Sequence, residues 1–143
     1  MTRTGAPPQQ VRFTHDQLVA RLEASVKAGK ALEVLAFADA NPKALEGSAA
    51  IASAVADAAD AVGDRPRAEA LQRQVLKLEP GHSSTINNLA LLLIKRDAFE
   101  EAEALLRGLL DGAPDHVEAR YNLALIHLRR SELAEAEAEA RRV

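Results

Sequence analysis

The chain has 143 residues, enough for one domain, with 48% apolar and 27% charged residues and a formal charge of -3. That balance excludes a disordered polymer, and the interleaved charges leave no basic face for nucleic acid. Cysteine is absent, which excludes disulfide and thiolate chemistry, and aromatics are only 3%, so the core must be built from Ala, Leu, Val and Ile. No run of about 20 apolar residues and no apolar leader occur, so a cytoplasmic chain without a membrane span is expected.

In chain order, residues 1–13 carry early Pro, Gln and Gly and predict a flexible lead. Thr14 followed by Gln17 is a capping box ahead of Leu18, Leu22 and Val26, and Gly29 ends that helix. A shorter helix is expected over about 30–40, anchored by Leu32, Leu35 and Phe37 and broken at Asn41-Pro42. Residues 43–48 read two ways: Pro42 opens a helix, or Gly47-Ser48 interrupts or restarts one. Residues 14–48 as a whole read as a degenerate helical hairpin or N-terminal cap.

From residue 49 a 34-residue period governs the chain. Asn88-Leu89-Ala90-Leu91 recurs as Asn122-Leu123-Ala124-Leu125. Counting from Ala49, Ser83 and Val117, position 8 is Ala56, Ala90 and Ala124, and position 20 is Ala68, Ala102 and Ala136. Small side chains at those two phases let the paired helices of one unit approach closely. Larger residues at position 7 (Val55, Leu89, Leu123) and position 27 (Val75, Leu109, Val143) fill space between successive helices. Pro80 and Pro114 stop the second helix, since Pro cannot continue a helix interior. Gly63, Asp97 and Ser131 punctuate the turn within each unit, with Asp64 and Asp97 as expected N-caps.

This pattern resembles the tetratricopeptide repeat family. The resemblance covers residues 49–143 as two complete units, 49–82 and 83–116, and a third cut short, 117–143. It implies an all-α, right-handed α-solenoid of stacked helix-turn-helix repeats with about eight helices, in which each unit stacks on its neighbours to bury its apolar face. In the same frame Gly29 takes the turn position of residues 14–48. The chain departs from the family at position 4 (Ala52, Ile86, Arg120) and at position 11, where a large aromatic is usual and Ala59, Leu93 and His127 stand. The unit 49–82 is therefore thin in bulk, while His127 falls on a core phase.

Catalytic signals are missing. His82 and His116 share position 34, but repeat neighbours about 10 Å apart cannot share an ion with bonds of about 2 Å. There is no G-x-S-x-G turn and no glycine-rich phosphate loop. The run Glu132, Glu135, Glu137, Glu139 reads as a solvated face supported by Arg141. No enzyme activity, cofactor or metal is expected.

By the resemblance, the first helix of each repeat lines a concave groove. That places Ala50, Ser53, Asp57 and Asp60 there, then Ser84, Asn87, Asn88, Leu91 and Ile94, then Glu118, Tyr121, Asn122, Leu125 and Leu128. Leu91, Ile94, Leu125 and Leu128 form an apolar strip fit for an amphipathic helix or apolar peptide. Asn88 and Asn122, both at position 6, can donate to and accept from a ligand's main chain, resembling the asparagine ladder of repeats fused to O-linked N-acetylglucosamine transferases. A structural amide bonding the neighbouring repeat is the other reading. Family members that clamp an acidic tail carry Lys, Asn and Arg, of which only Asn88 fits here; Asp57, Asp60 and Glu118 would repel a carboxylate. Three roles follow: a non-catalytic protein-interaction module for a peptide or helix, the recruiting arm of a larger enzyme of glycosyltransferase or hydroxylase type, or a homo-oligomer assembling through the C-terminal face.

Overall fold

The computed structural model describes residues 12–141. Among the described residues there are eight helices and no strand: α1 (His15–Lys27), α2 (Ala31–Ala40), α3 (Pro42–Gly47), α4 (Ala49–Ala61), α5 (Arg65–Leu78), α6 (Ser83–Lys95), α7 (Phe99–Gly112) and α8 (Val117–Arg141). The expected flexible lead lies outside the described residues up to position 11, as does Val143.

Local chemistry sets the boundaries. The Thr14 hydroxyl accepts from the Gln17 N–H at 3.2 Å and Gln17 Oε1 accepts from the Thr14 N–H at 3.0 Å, closing the capping box. Gly29 then adopts a φ of 79°, the left-handed conformation that ends a helix without steric penalty. Residues 42–48 do both things the sequence allowed: Pro42 opens the short α3, and the Ser48 hydroxyl restarts the chain by accepting from the Ile51 N–H at 3.2 Å. One anchor of α2 is corrected. Its buried face runs through Ala31, Val34, Leu35 and Ala38, while Leu32 is 73% exposed. Residues 31, 34, 35 and 38 follow the i, i+3, i+4, i+7 stripe, and Leu32 falls a third of a turn off it.

Hairpins α4–α5 and α6–α7 obey the small-residue rule. Ala56, Ala68, Ala90 and Ala102 are all buried, and each pair of helices packs along its length. Gly63 has a φ of 81° and Asp97 one of 63°, so position 15 is a left-handed turn residue in both hairpins, as Gly29 is in the first. Asp64 caps α5, its carboxylate accepting from the Arg67 N–H at 3.3 Å. Asp97 does not cap α7: Ala98 holds that place without a side-chain bond, and Asp97 supplies the turn and pairs with Arg129 at 3.2 Å instead.

The third unit departs from expectation. Ser131 lies inside α8, which runs unbroken for 25 residues, about 37 Å at 1.5 Å per residue. Gly and Asp tolerate positive φ at the turn position and Ser does not, while the following Ala-Glu alternation has high helix propensity. With no returning helix among the described residues, Ala124, Ala136 and His127 are exposed. The count of eight is met because the short α3 replaces the helix that α8 absorbs.

The core divides in two. One cluster draws on α1 to α5 with Leu92 from α6, and the other on α6 to α8 with Leu76 packed against it. Ion pairs stitch the seam. Arg96 engages Glu69 through two nitrogens at 2.9 and 3.0 Å, and Arg73 bridges Glu69 and Glu101. Hydrogen bonding from Arg96 first and Arg73 second holds the Glu69 carboxyl below its usual range. Further on, Glu103 joins Arg107 and Arg130 at 2.7 Å each, tying α7 to α8.

Candidate functional site

The leading helices of the hairpins, α4, α6 and α8, bring most of the sequence-derived groove residues to one side, with α1 beside α4. The structure sorts those residues by accessibility. Tyr121 and Leu128 are 68% and 56% exposed on α8, and Leu125 is half-buried between them at i+4 and i+7 spacing from Tyr121. Leu91 is half-buried and Asn88 exposed. Ile94, in contrast, is in the core with Phe99 and Leu93, so the apolar strip comprises Leu91, Leu125 and Leu128. Asn122 is also buried. Its amide donates to Asn87 Oδ1 at 2.8 Å, which spends both groups on joining α8 to α6. The two position-6 asparagines therefore differ: Asn122 is bonded to the neighbouring helix and Asn88 is exposed.

A depression of about 220 Å³ opens between α4 and α6, lined by Asp57, Asp60, Gln72, Asn88, Leu91 and Lys95. Asp57 also borders a neighbouring hollow with Glu23, Val26 and Lys27 of α1. Burial, then the charge of Asp60, then that of Glu23 raise the Asp57 carboxyl above its usual range. Gln72 is 4% exposed and its Oε1 accepts no hydrogen bond. Sequence reasoning missed Gln72. Its signal was periodicity: α5 buries Ala68, Gln72 and Val75, so a glutamine stands in an apolar stripe at i, i+4, i+7. A more apolar depression of about 560 Å³, also unanticipated, lies between the start of α6 and α7, against Ile86, Leu105, Gly108 and Leu109.

His82 and His116 are N-caps. Each accepts through Nδ1, from the Thr85 N–H at 3.3 Å and the Ala119 N–H at 3.2 Å, and Ser48 does the same one unit earlier in the frame. The common phase of Ser48, His82 and His116 carried that role in the sequence. His15 Nε2 lies 2.7 Å from Ser48 Oγ and His15 Nδ1 3.4 Å from Asp16. The order resembles a hydrolytic triad, but Asp16 is fully exposed and cannot fix the ring, and Ser48 Oγ is engaged in capping α4. Among the described residues no three His, Cys, Asp or Glu side chains gather as a metal set, and no helix is long and apolar enough to cross a membrane.

Stacked helical hairpins with small residues at the crossing points define an α-solenoid of interaction-module type. Residues 93–143, a little over a third of the chain, match the family model described as tetratricopeptide repeat. Such repeats generally mediate protein–protein interactions. No curated protein matches the chain.

Proposed function

We propose that the chain is a non-catalytic protein-interaction module that binds a peptide or amphipathic helix along its leading helices, across Asn88, Leu91, Tyr121, Leu125 and Leu128. The supporting observation is that Tyr121 and Leu128 stand exposed on the α8 face that also carries Leu125. An aromatic and two leucines at helical spacing form an anchor row for an apolar partner. The test is recovery of partners from source-cell lysate by the intact chain and by Leu128→Glu and Leu125→Glu. Partners are expected to be lost with both variants while circular dichroism stays helical. Leu128 is exposed, so its variant carries no folding penalty that mimics the result. Capture that survives both substitutions removes α8 from the site.

Self-association is the second reading, favoured by the exposure of Ala124 and Ala136 at the phases where the two preceding hairpins bring helices together. A second copy of α8 would fill that place isologously. Sedimentation velocity at rising concentration is expected to show a dimer; a monomer throughout ends this reading.

A further inference from the structure

We propose that the depression between α4 and α6 receives one cationic side chain, a lysine ammonium or an arginine guanidinium, from the peptide bound along the leading helices. The inference rests on the interaction-module reading and adds the chemistry of the ligand.

The repeat frame carries the argument. Of positions 9 and 12, those that remain accessible hold Leu91 in α6 and Leu125 and Leu128 in α8, but Asp57 and Asp60 in α4, while Ile94 of α6 lies in the core. The two aspartates sit one helical turn apart on one face, and Glu23 of α1 adds its charge toward Asp57. The same ligand track is thus acidic at one end and apolar at the other. Position 24 repeats the contrast. In α7 it is Leu106, fully buried; in α5 it is Gln72, 4% exposed, with a carbonyl oxygen that no donor meets. A buried carbonyl oxygen lacking a donor is a cost that leucine would avoid at that place. A guanidinium or ammonium entering the depression supplies donors for both carboxylates and, after a turn of the terminal amide torsion, for Gln72. The half-buried Leu91 beside them suits the methylene stem of such a side chain.

The cations already near are Lys95, on the rim, and Lys27, beside Asp57 in the neighbouring hollow. Among the described residues neither makes an ion pair within 4 Å, so three carboxylates face two unengaged ammonium groups. Lys95 competes with the ligand rather than replacing it. Neighbouring repeats lie about 10 Å apart, or about three residues of extended chain, so the cation and an apolar residue of the peptide are about three apart.

The probe is acetyl-Leu-Ala-Ala-Arg-Ala-Ala-Leu-amide, which reads the same in both chain directions, with citrulline and lysine versions, titrated into the full chain by NMR. The arginine or lysine peptide is expected to shift the Gln72 side-chain amide. The citrulline peptide should bind about tenfold more weakly, and Asp60→Asn and Asp57→Asn should each weaken the cationic peptide by a similar factor. Lys95→Gln should tighten it severalfold, and Gln72→Leu should weaken it while raising the unfolding midpoint. A merely structural Gln72 would not give that opposition. The proposal is overturned by equal binding of citrulline and cationic peptides, by aspartate variants that bind as before, or by an unmoved Gln72 amide up to about 10 mM peptide. Lysate capture that stays sensitive to Leu128→Glu alongside any of those results leaves the module reading standing and removes only the cation pocket.

Discussion

Leu106→Ala is expected to destabilise the fold by about 3 kcal/mol, within the 2–5 kcal/mol seen for buried leucines. Leu106 is fully buried on α7 among Leu89, Leu93, Phe99 and Ile126. Truncation removes its transfer free energy and leaves a cavity whose walls are held by helices on three sides, so collapse is incomplete. Chemical denaturation of the variant measures the loss, and amide exchange locates it. Because the core is split into two clusters, the weakening should fall mainly on α6, α7 and α8, with α1 to α4 retaining protection. A loss below about 1 kcal/mol would mean that this cluster is not packed as described.

Ser131→Pro is expected to cost about 3 kcal/mol of local helix stability and almost nothing in the core. Proline at 131 removes the bond from its N–H to the residue 127 carbonyl and clashes with that turn. Residues 131–141 are all exposed, so no burial in the core supports the distal half of α8 once its turn is broken. Far-UV circular dichroism should lose the signal of about ten helical residues, while exchange protection at Leu89 and Leu106 changes by less than about 0.5 kcal/mol. In a hairpin with its turn at 131, proline would meet the positive φ that position 15 adopts in the other hairpins, which its ring forbids, and the loss of protection would spread into the packed helices. An unchanged helical signal rejects the continuous α8.

Much of the scaffold was legible because short-range chemistry sets it. Thr14 with Gln17, Gly29, Pro42, Asp64 and the alanines at positions 8 and 20 each act within a few residues or at one fixed crossing point. The site was less legible. Ile94 and Leu128 share a phase and so looked alike, yet one lies in the core and the other in solvent. Asn88 and Asn122 likewise share a phase, and only the register of α8 against α6 decides that Asn122 meets Asn87.

The sequence by itself determined the helical period, the caps at Thr14 and Asp64, the left-handed turns at Gly29 and Gly63, and the close crossing of α4 with α5 and α6 with α7. Tertiary structure alone decided which groove residues remain accessible and that Gln72 lies unpartnered beside Asp57 and Asp60. The physical reason is that periodicity fixes the direction of a side chain on its own helix, whereas burial depends on whether another helix arrives to cover it. For His127, Ala124 and Ala136, no described helix does.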